Sequence, residues 1–148
     1  MEQRVLEKDL LHNDSPSVAP RDGRHLQSHA EASSQIEKVL DWLQHNQVTV
    51  SQPAEVLNYL TRHLDMTELI LPVCKMARTR FENRAEFYLE VYRDPEIDDE
   101  YLALYVRQKV YDDDVLKMIR EISRESLYRG LEGKKGWFTI TTDFKPAA

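Results

Sequence analysis

The chain has 148 residues, enough for one domain with a real core. Hydrophobic residues are 41% and charged residues 31%, with a formal net charge of -6, which suits a globular protein and opposes non-specific attraction to nucleic acid or anionic membrane. The single cysteine, Cys74, rules out an internal disulfide, and no run approaches the roughly 20 apolar residues of a membrane span. The opening "MEQRVLEKDLLHNDSPSV" lacks the apolar core of a signal peptide, so the cytoplasm is the expected location.

Residues 1–33 read as a disordered tail, because "HNDSPSVAPRDGRHLQSHAEASS" has little to bury against the entropy of ordering it. A short helix over "EQRVLEKDLL" is too short to stand alone. Residues 34–148 read as a single α+β domain. Ser34 with Glu37 resembles a capping box, and Ile36, Val39, Leu40 and Leu43 follow the helical period. "VTV" at 48–50 is a short extended link. "SQPAEVLNYLTRHLD" gives a second helix, with Val56, Leu57, Leu60 and Leu64 as its stripe. "MTELILPVCKMARTRF" gives a third, in which Pro72 predicts a kink or a break.

From residue 86 the period changes to two. "AEFYLEVY" and "EYLALYVR" flank the acidic "RDPEIDDE", so a hairpin is the simplest reading. Pairing Val91 with Leu102 sets Leu89 against Leu104 and Phe87 against Val106. It also sets Tyr92 against Tyr101, Tyr88 against Tyr105 and Glu86 against Arg107. A one-residue slip would turn one strand's apolar set outward. "YDDDVLKMIREISRESLYRGLEG" predicts a fourth helix with Asp112 as N-cap, Asp113 and Asp114 at its positive end, and Gly130 or Gly133 at its close. "GWFTITTDF" predicts a last strand with Phe138, Ile140 and Phe144 on one face. The expected fold is thus an N-terminal three-helix layer followed by β-β-α-β. The sheet would have three antiparallel strands in the order 2-1-3, with the fourth helix over Phe87, Leu89 and Val91.

Asp94, Glu96, Asp98 and Asp99 with Glu100 form the densest acidic stretch. A calcium loop of the EF-hand kind would need a glycine at its sharp turn, and none lies between Arg84 and Gly130. A hairpin tip is also a poor place to shift carboxylate pKa values for acid–base work. The stretch therefore reads as an Asp-Pro turn. His25 and His29 have the i, i+4 spacing of metal ligands but no third partner nearby, and His45 and His63 read as surface or rim residues. Cys74 reads as a buried structural thiol. No phosphate loop, nucleophile elbow or CxxC pair is present, so no metal, cofactor or catalytic residue is expected.

The informative surface is the second face of the sheet, with Tyr88, Tyr92, Tyr101, Tyr105 and Trp137. The expected arrangement covers it with the first three helices; the alternative leaves part of it open to a partner. Glu86, Glu90 and the acidic turn share this surface and would repel a phosphate backbone, so another protein is the favoured partner and nucleic acid is disfavoured. Homo-oligomerisation is compatible with the same face. A winged-helix DNA-binding regulator is the alternative, with Lys75, Arg78, Arg80 and Arg84 facing DNA; Pro72 and the acidic would-be wing oppose it.

Through "YRDPEIDDEYLALYVR" and "GWFTITTDF" the chain resembles a group of short prokaryotic proteins of unassigned function, over roughly residues 36–144. That resemblance implies an α+β fold and transfers no activity or site residue. The function expected from the sequence is a non-enzymatic, acidic protein-interaction module, such as an accessory subunit or an antitoxin-like partner. It would act through the five aromatics, the acidic turn or both.

Overall fold

The computed structural model describes the backbone from Val18 to Ala148 and the side chains from Ala30 onward; the short helix expected over residues 2–11 lies outside the described residues. The elements are α1 (Val18–His45), β1 (Val48–Val50), α2 (Pro53–Arg62), α3 (Thr67–Phe81), β2 (Glu86–Asp94), β3 (Asp99–Arg107), α4 (Val115–Ser126), α5 (Tyr128–Leu131) and β4 (Phe138–Thr141). Gln35–Ala148 forms a compact unit that holds all four strands and the helices packed on them.

The hairpin of β2 and β3 has the predicted register: Val91 faces Leu102, Leu89 faces Leu104 and Phe87 faces Val106. These six side chains are buried together with Phe138 and Ile140 of β4 and Val48 of β1. Each helix lays its apolar stripe on this inner face. α1 contributes Ile36, Val39 and Leu43, and α2 contributes Val56, Tyr59 and Leu60. Ile70, Val73, Ala77 and Phe81 come from α3, while Val115, Ile119 and Ile122 come from α4, and all belong to one continuous cluster. Phe81 meets Phe87 edge-on at 6.2 Å between centroids, which places α3 directly on the sheet. Burying such side chains stabilises by about 1.5–3 kcal/mol each before entropy is counted.

The sheet departs from the expected order. It has four strands, β1-β2-β3-β4, and is mixed. "VTV" is a true edge strand, parallel to β2, with Val48 opposite Phe87. The last strand lies beside β3 and parallel to it, with Leu102 opposite Phe138. The reason is the length of the connections. Antiparallel neighbours need only a turn, whereas parallel ones need a crossover of a dozen or more residues, usually helical. Both α2–α3 and α4–α5 are such crossovers. The two step in the same direction along the sheet, follow strands of opposite direction and keep their helices on one face. Geometry then requires them to have opposite hands, so one is left-handed against the strong general preference. The outer strands are short, three residues in β1 and four in β4, against nine in each hairpin strand. The β1–β2 ladder ends where the Ser51 N–H donates to the Leu89 carbonyl (2.9 Å).

Other local expectations also shift. Ser34 is an interior residue of α1, so the capping box does not start that helix. The α3 helix runs through Pro72, which is exposed, as is Glu68, whose carbonyl loses its helical donor and can turn to water. Asp112 is not the N-cap of α4; Asp114 is, without a side-chain cap bond. Asp112 instead accepts from Gln108 Nε2 and from Arg84, both at 2.9 Å, while its own N–H donates to Gln108 Oε1. That exchange satisfies the buried Gln108 amide. Gly133, at φ +77, follows the short α5. Phe144 lies beyond β4 and stacks on Tyr111 (5.1 Å) instead of joining the apolar face.

One side chain ties the helices to the entry of β4. The Tyr59 hydroxyl accepts the Trp137 N–H (2.9 Å) and donates to the Trp137 carbonyl (3.2 Å). Close approach there requires Gly136, where an added Cβ would lie 2.9 Å from both Tyr59 Oη and Met66 Cγ. Tyr59→Phe should cost about 1–2 kcal/mol in urea unfolding, because a backbone N–H loses its partner. Gly136→Ala should cost at least as much; a neutral result would show that the entry of β4 adapts freely.

Candidate functional site: the open tyrosine face

Strand alternation sends Tyr88, Glu90, Tyr92 and Asp94 of β2 to the face opposite the helices, with Asp99, Tyr101, Ala103, Tyr105 and Arg107 of β3 beside them. Among the described side chains, those of the helices pack on the other face and none of the first three helices covers this one. Within Gln35–Ala148 the expected three-layer arrangement is thus replaced by two layers. Tyr88, Tyr101 and Tyr105 are half-buried, and Tyr92 retains 37% of its surface. Trp137, just before β4, is 51% exposed. Ala103 is fully covered although, among the described residues, no helix side chain overlies it, so the surrounding side chains roof the alanine floor.

The face divides into two tyrosine pairs. In the first, Tyr88 faces Tyr105, and the Arg107 guanidinium lies 4.4 Å from the Tyr88 ring centre and 5.6 Å from that of Tyr105. Arg107 also grips Asp143 through Nε–Oδ1 (3.2 Å) and Nη2–Oδ2 (2.7 Å), a bidentate ion pair. The register places Glu86 opposite Arg107, as expected, yet its carboxylate accepts from the Tyr88 hydroxyl (2.6 Å) and from the Ala148 N–H (3.0 Å). In the second pair, Tyr92 and Tyr101 have ring centres 5.1 Å apart. Asp94 and Asp99 face each other just beyond it. Among the described residues no lysine, arginine or histidine pairs with Glu90, Asp94 or Asp99.

The acidic stretch is a turn. Asp98 takes a left-handed backbone (φ 52), and the Glu96 N–H donates to Asp94 Oδ1 (2.9 Å). Strand alternation splits its charges. Glu100 and Arg93 point to the helix side, where Arg93 binds both Glu100 (2.8 Å) and Glu55 (2.5 Å), and Glu100 binds Arg62 (2.6 Å). The Arg93 guanidinium, then Arg62, holds the Glu100 carboxyl below its ordinary value. This chain of ions anchors the hairpin to α2. Only Asp94 and Asp99 remain beside the tyrosines, while Glu96 and Asp98 lie on the exposed tip.

The other candidates find quieter places. Among the described residues no group of three His, Cys, Asp or Glu is gathered as metal ligands. His25 and His29 lie on α1, with their side chains outside the described residues. His63 stacks on Tyr59 (4.4 Å), and a His45 ring nitrogen lies 2.8 Å from the Asp41 carbonyl. Cys74 is buried, and burial pushes its thiol up to about 12, far from a thiolate at neutral pH. Among the described residues no helix is long and apolar enough to cross a membrane. The comparisons with protein-family models, curated proteins and solved structures find no match for this chain.

Reading the sequence put Arg107 on this face, opposite Glu86, but missed its contact with the tyrosine rings and its pairing with Asp143. Arg107 sits diagonal to Tyr88 across the hairpin, a spacing that long side chains bridge, so the pairing rule held the signal. Asp143 lies beyond β4 and left no such trace.

Two outcomes test the face. Tyr92→Glu should shift the melting temperature by only a few degrees, whereas Leu89→Glu should unfold the domain; equal damage would mean that the tyrosine face is covered. The hydrogen bonds from Arg107 hold the Asp143 carboxyl below its usual range. Asp143 therefore stabilises the fold above about pH 4, and that contribution disappears as pH falls through its lowered value. Asp143→Asn should cost about 0.5–1 kcal/mol at pH 7 and flatten the acid limb of a stability–pH curve.

Proposed function

We propose that this chain is a non-enzymatic protein-interaction module that binds a partner protein through Tyr92, Tyr101 and Trp137. The supporting observation is the aromatic sheet face itself: among the described residues no helix side chain covers it, and the Tyr92, Tyr101 and Tyr105 hydroxyls have no protein hydrogen-bond partner. Tyrosine and tryptophan on a rigid sheet supply large contact area at low entropic cost. An accessory subunit or an antitoxin-like partner is one form this role takes.

The winged-helix alternative draws less support. Its element order through β3 fits, but Arg80 pairs with Glu121 and Glu125, Arg84 pairs with Asp112, and Lys75 lies over the Trp42 ring (5.6 Å). A DNA-binding helix needs such cations free for phosphates.

A photo-cross-linking amino acid in place of Tyr92, expressed in the native cell, tests the proposal. One defined protein should be captured from that position and not from Leu116, which is exposed on the helix side. Capture of a second copy of the chain would identify a homo-oligomer. No adduct, or the same adducts from Leu116, would overturn the assignment of the face.

A further inference from the structure

We infer that the Tyr92–Tyr101 pair, with Asp94 and Asp99, is a receptor for an arginine side chain presented by the partner protein. The inference rests on the interaction-module reading and adds the chemistry of the contact.

The neighbouring pair supplies the precedent. Tyr88 and Tyr105 face each other across the same two strands, four residue pairs along the ladder from Tyr92 and Tyr101. That first pair holds a guanidinium: Arg107 lies over both rings and is pinned by the Asp143 carboxylate. Tyr92 and Tyr101 form a second cross-strand tyrosine pair, here with the rings in contact (5.1 Å), and Asp94 and Asp99 lie opposite each other just beyond it. Among the described residues, no cation completes it. The hairpin thus carries one tyrosine pair that holds a guanidinium and a second that holds none among the described residues.

Electrostatics favour the same ligand. Carboxylates directly opposite across a hairpin repel one another, so Asp94 and Asp99 lose stability in the free protein. A cation between them would relieve that repulsion. The negative quadrupole of the two ring faces draws a cation as well, more strongly as water is displaced. The negative formal charge of the chain adds long-range attraction for a basic partner. Arginine fits better than lysine, because a planar guanidinium stacks on a ring and grips a carboxylate at once, as Arg107 does. A nucleic-acid strand would meet Glu90, Asp94 and Asp99 with its phosphates and be repelled.

The test is an NMR titration of the full chain with a capped Gly-Arg-Gly peptide, following the ring resonances of Tyr92 and Tyr101. A capped Gly-citrulline-Gly peptide, of the same shape without the charge, is the control. The arginine peptide should shift both tyrosines saturably, and the citrulline peptide should bind about tenfold more weakly or not at all. The pair Asp94→Asn and Asp99→Asn, which removes a repulsion and so keeps the fold, should weaken arginine binding about tenfold. Tyr92→Leu, which keeps apolar area but loses the ring, should weaken it too. Unmoved tyrosines, or equal shifts with citrulline, would overturn the inference. A partner captured at Tyr92 whose binding ignores the double Asn change would also overturn it, leaving the module intact. If no partner is captured at Tyr92, the module itself fails.

Discussion

The pairing of Val91 with Leu102 constrains everything else in this molecule. Because side chains alternate with period two, that register commits Phe87, Leu89, Leu104 and Val106 to the helices. The same register commits four tyrosines to the other side. A slip of one residue in either strand would bury tyrosine hydroxyls and acids under α3 and expose the leucines. The core and the tyrosine face are therefore two results of a single alignment, and selection on one face restrains the other. The six apolar residues at the centre of the hairpin make the slip prohibitively costly.

Much of this alignment was legible in the sequence, because it depends on neighbours in a hairpin and on like meeting like. The pairing of Glu86 with Arg107 and of Tyr92 with Tyr101 followed from pattern alone. The placement of β1 and β4 did not. "VTV" is too short to announce itself as a strand, and its partner lies across two helices. The place of "GWFTITTDF" is decided by the crossover through α4, which packs against α3 as well as the sheet, and local periodicity carries no record of that choice. The openness of the tyrosine face was hidden for the same reason. An aromatic alternation reads alike whether helices cover it or water does, and the side on which α1 to α3 pack is a tertiary decision. Asp112 misled because a carboxylate before a helix is a good cap in general; here Arg84 and Gln108 compete for it and win.

The acidic stretch shows how alternation can divide one cluster into two roles. Along the sequence, Asp94 to Glu100 looks like a single patch. In the fold, Glu100 turns inward and binds Arg93 and Arg62, which joins the hairpin to α2. Asp94 and Asp99 turn outward beside Tyr92 and Tyr101. The inward carboxylate contributes to assembly of the domain. The outward pair remains a source of repulsion that any cation would relieve. Composition alone cannot separate these roles, since both kinds of residue have the same chemistry and lie within a few positions of each other.

The hairpin is longer than the strands that flank it, and this leaves part of its backbone without a strand partner among the described residues. The Leu89 carbonyl points outward to Ser51, at the last rung of the β1 ladder. Backbone groups that point the same way recur at every second residue, so those of Val91 and Arg93 also face outward, past the end of β1. Behind the ring of Tyr92, the sheet thus ends in a ladder two rungs long that no strand fills among the described residues. A visiting chain that laid one extended segment along that margin would become a fifth strand, with its alternate side chains falling toward the tyrosines. The stunted β1 would then act as a stop, fixing where such a segment begins.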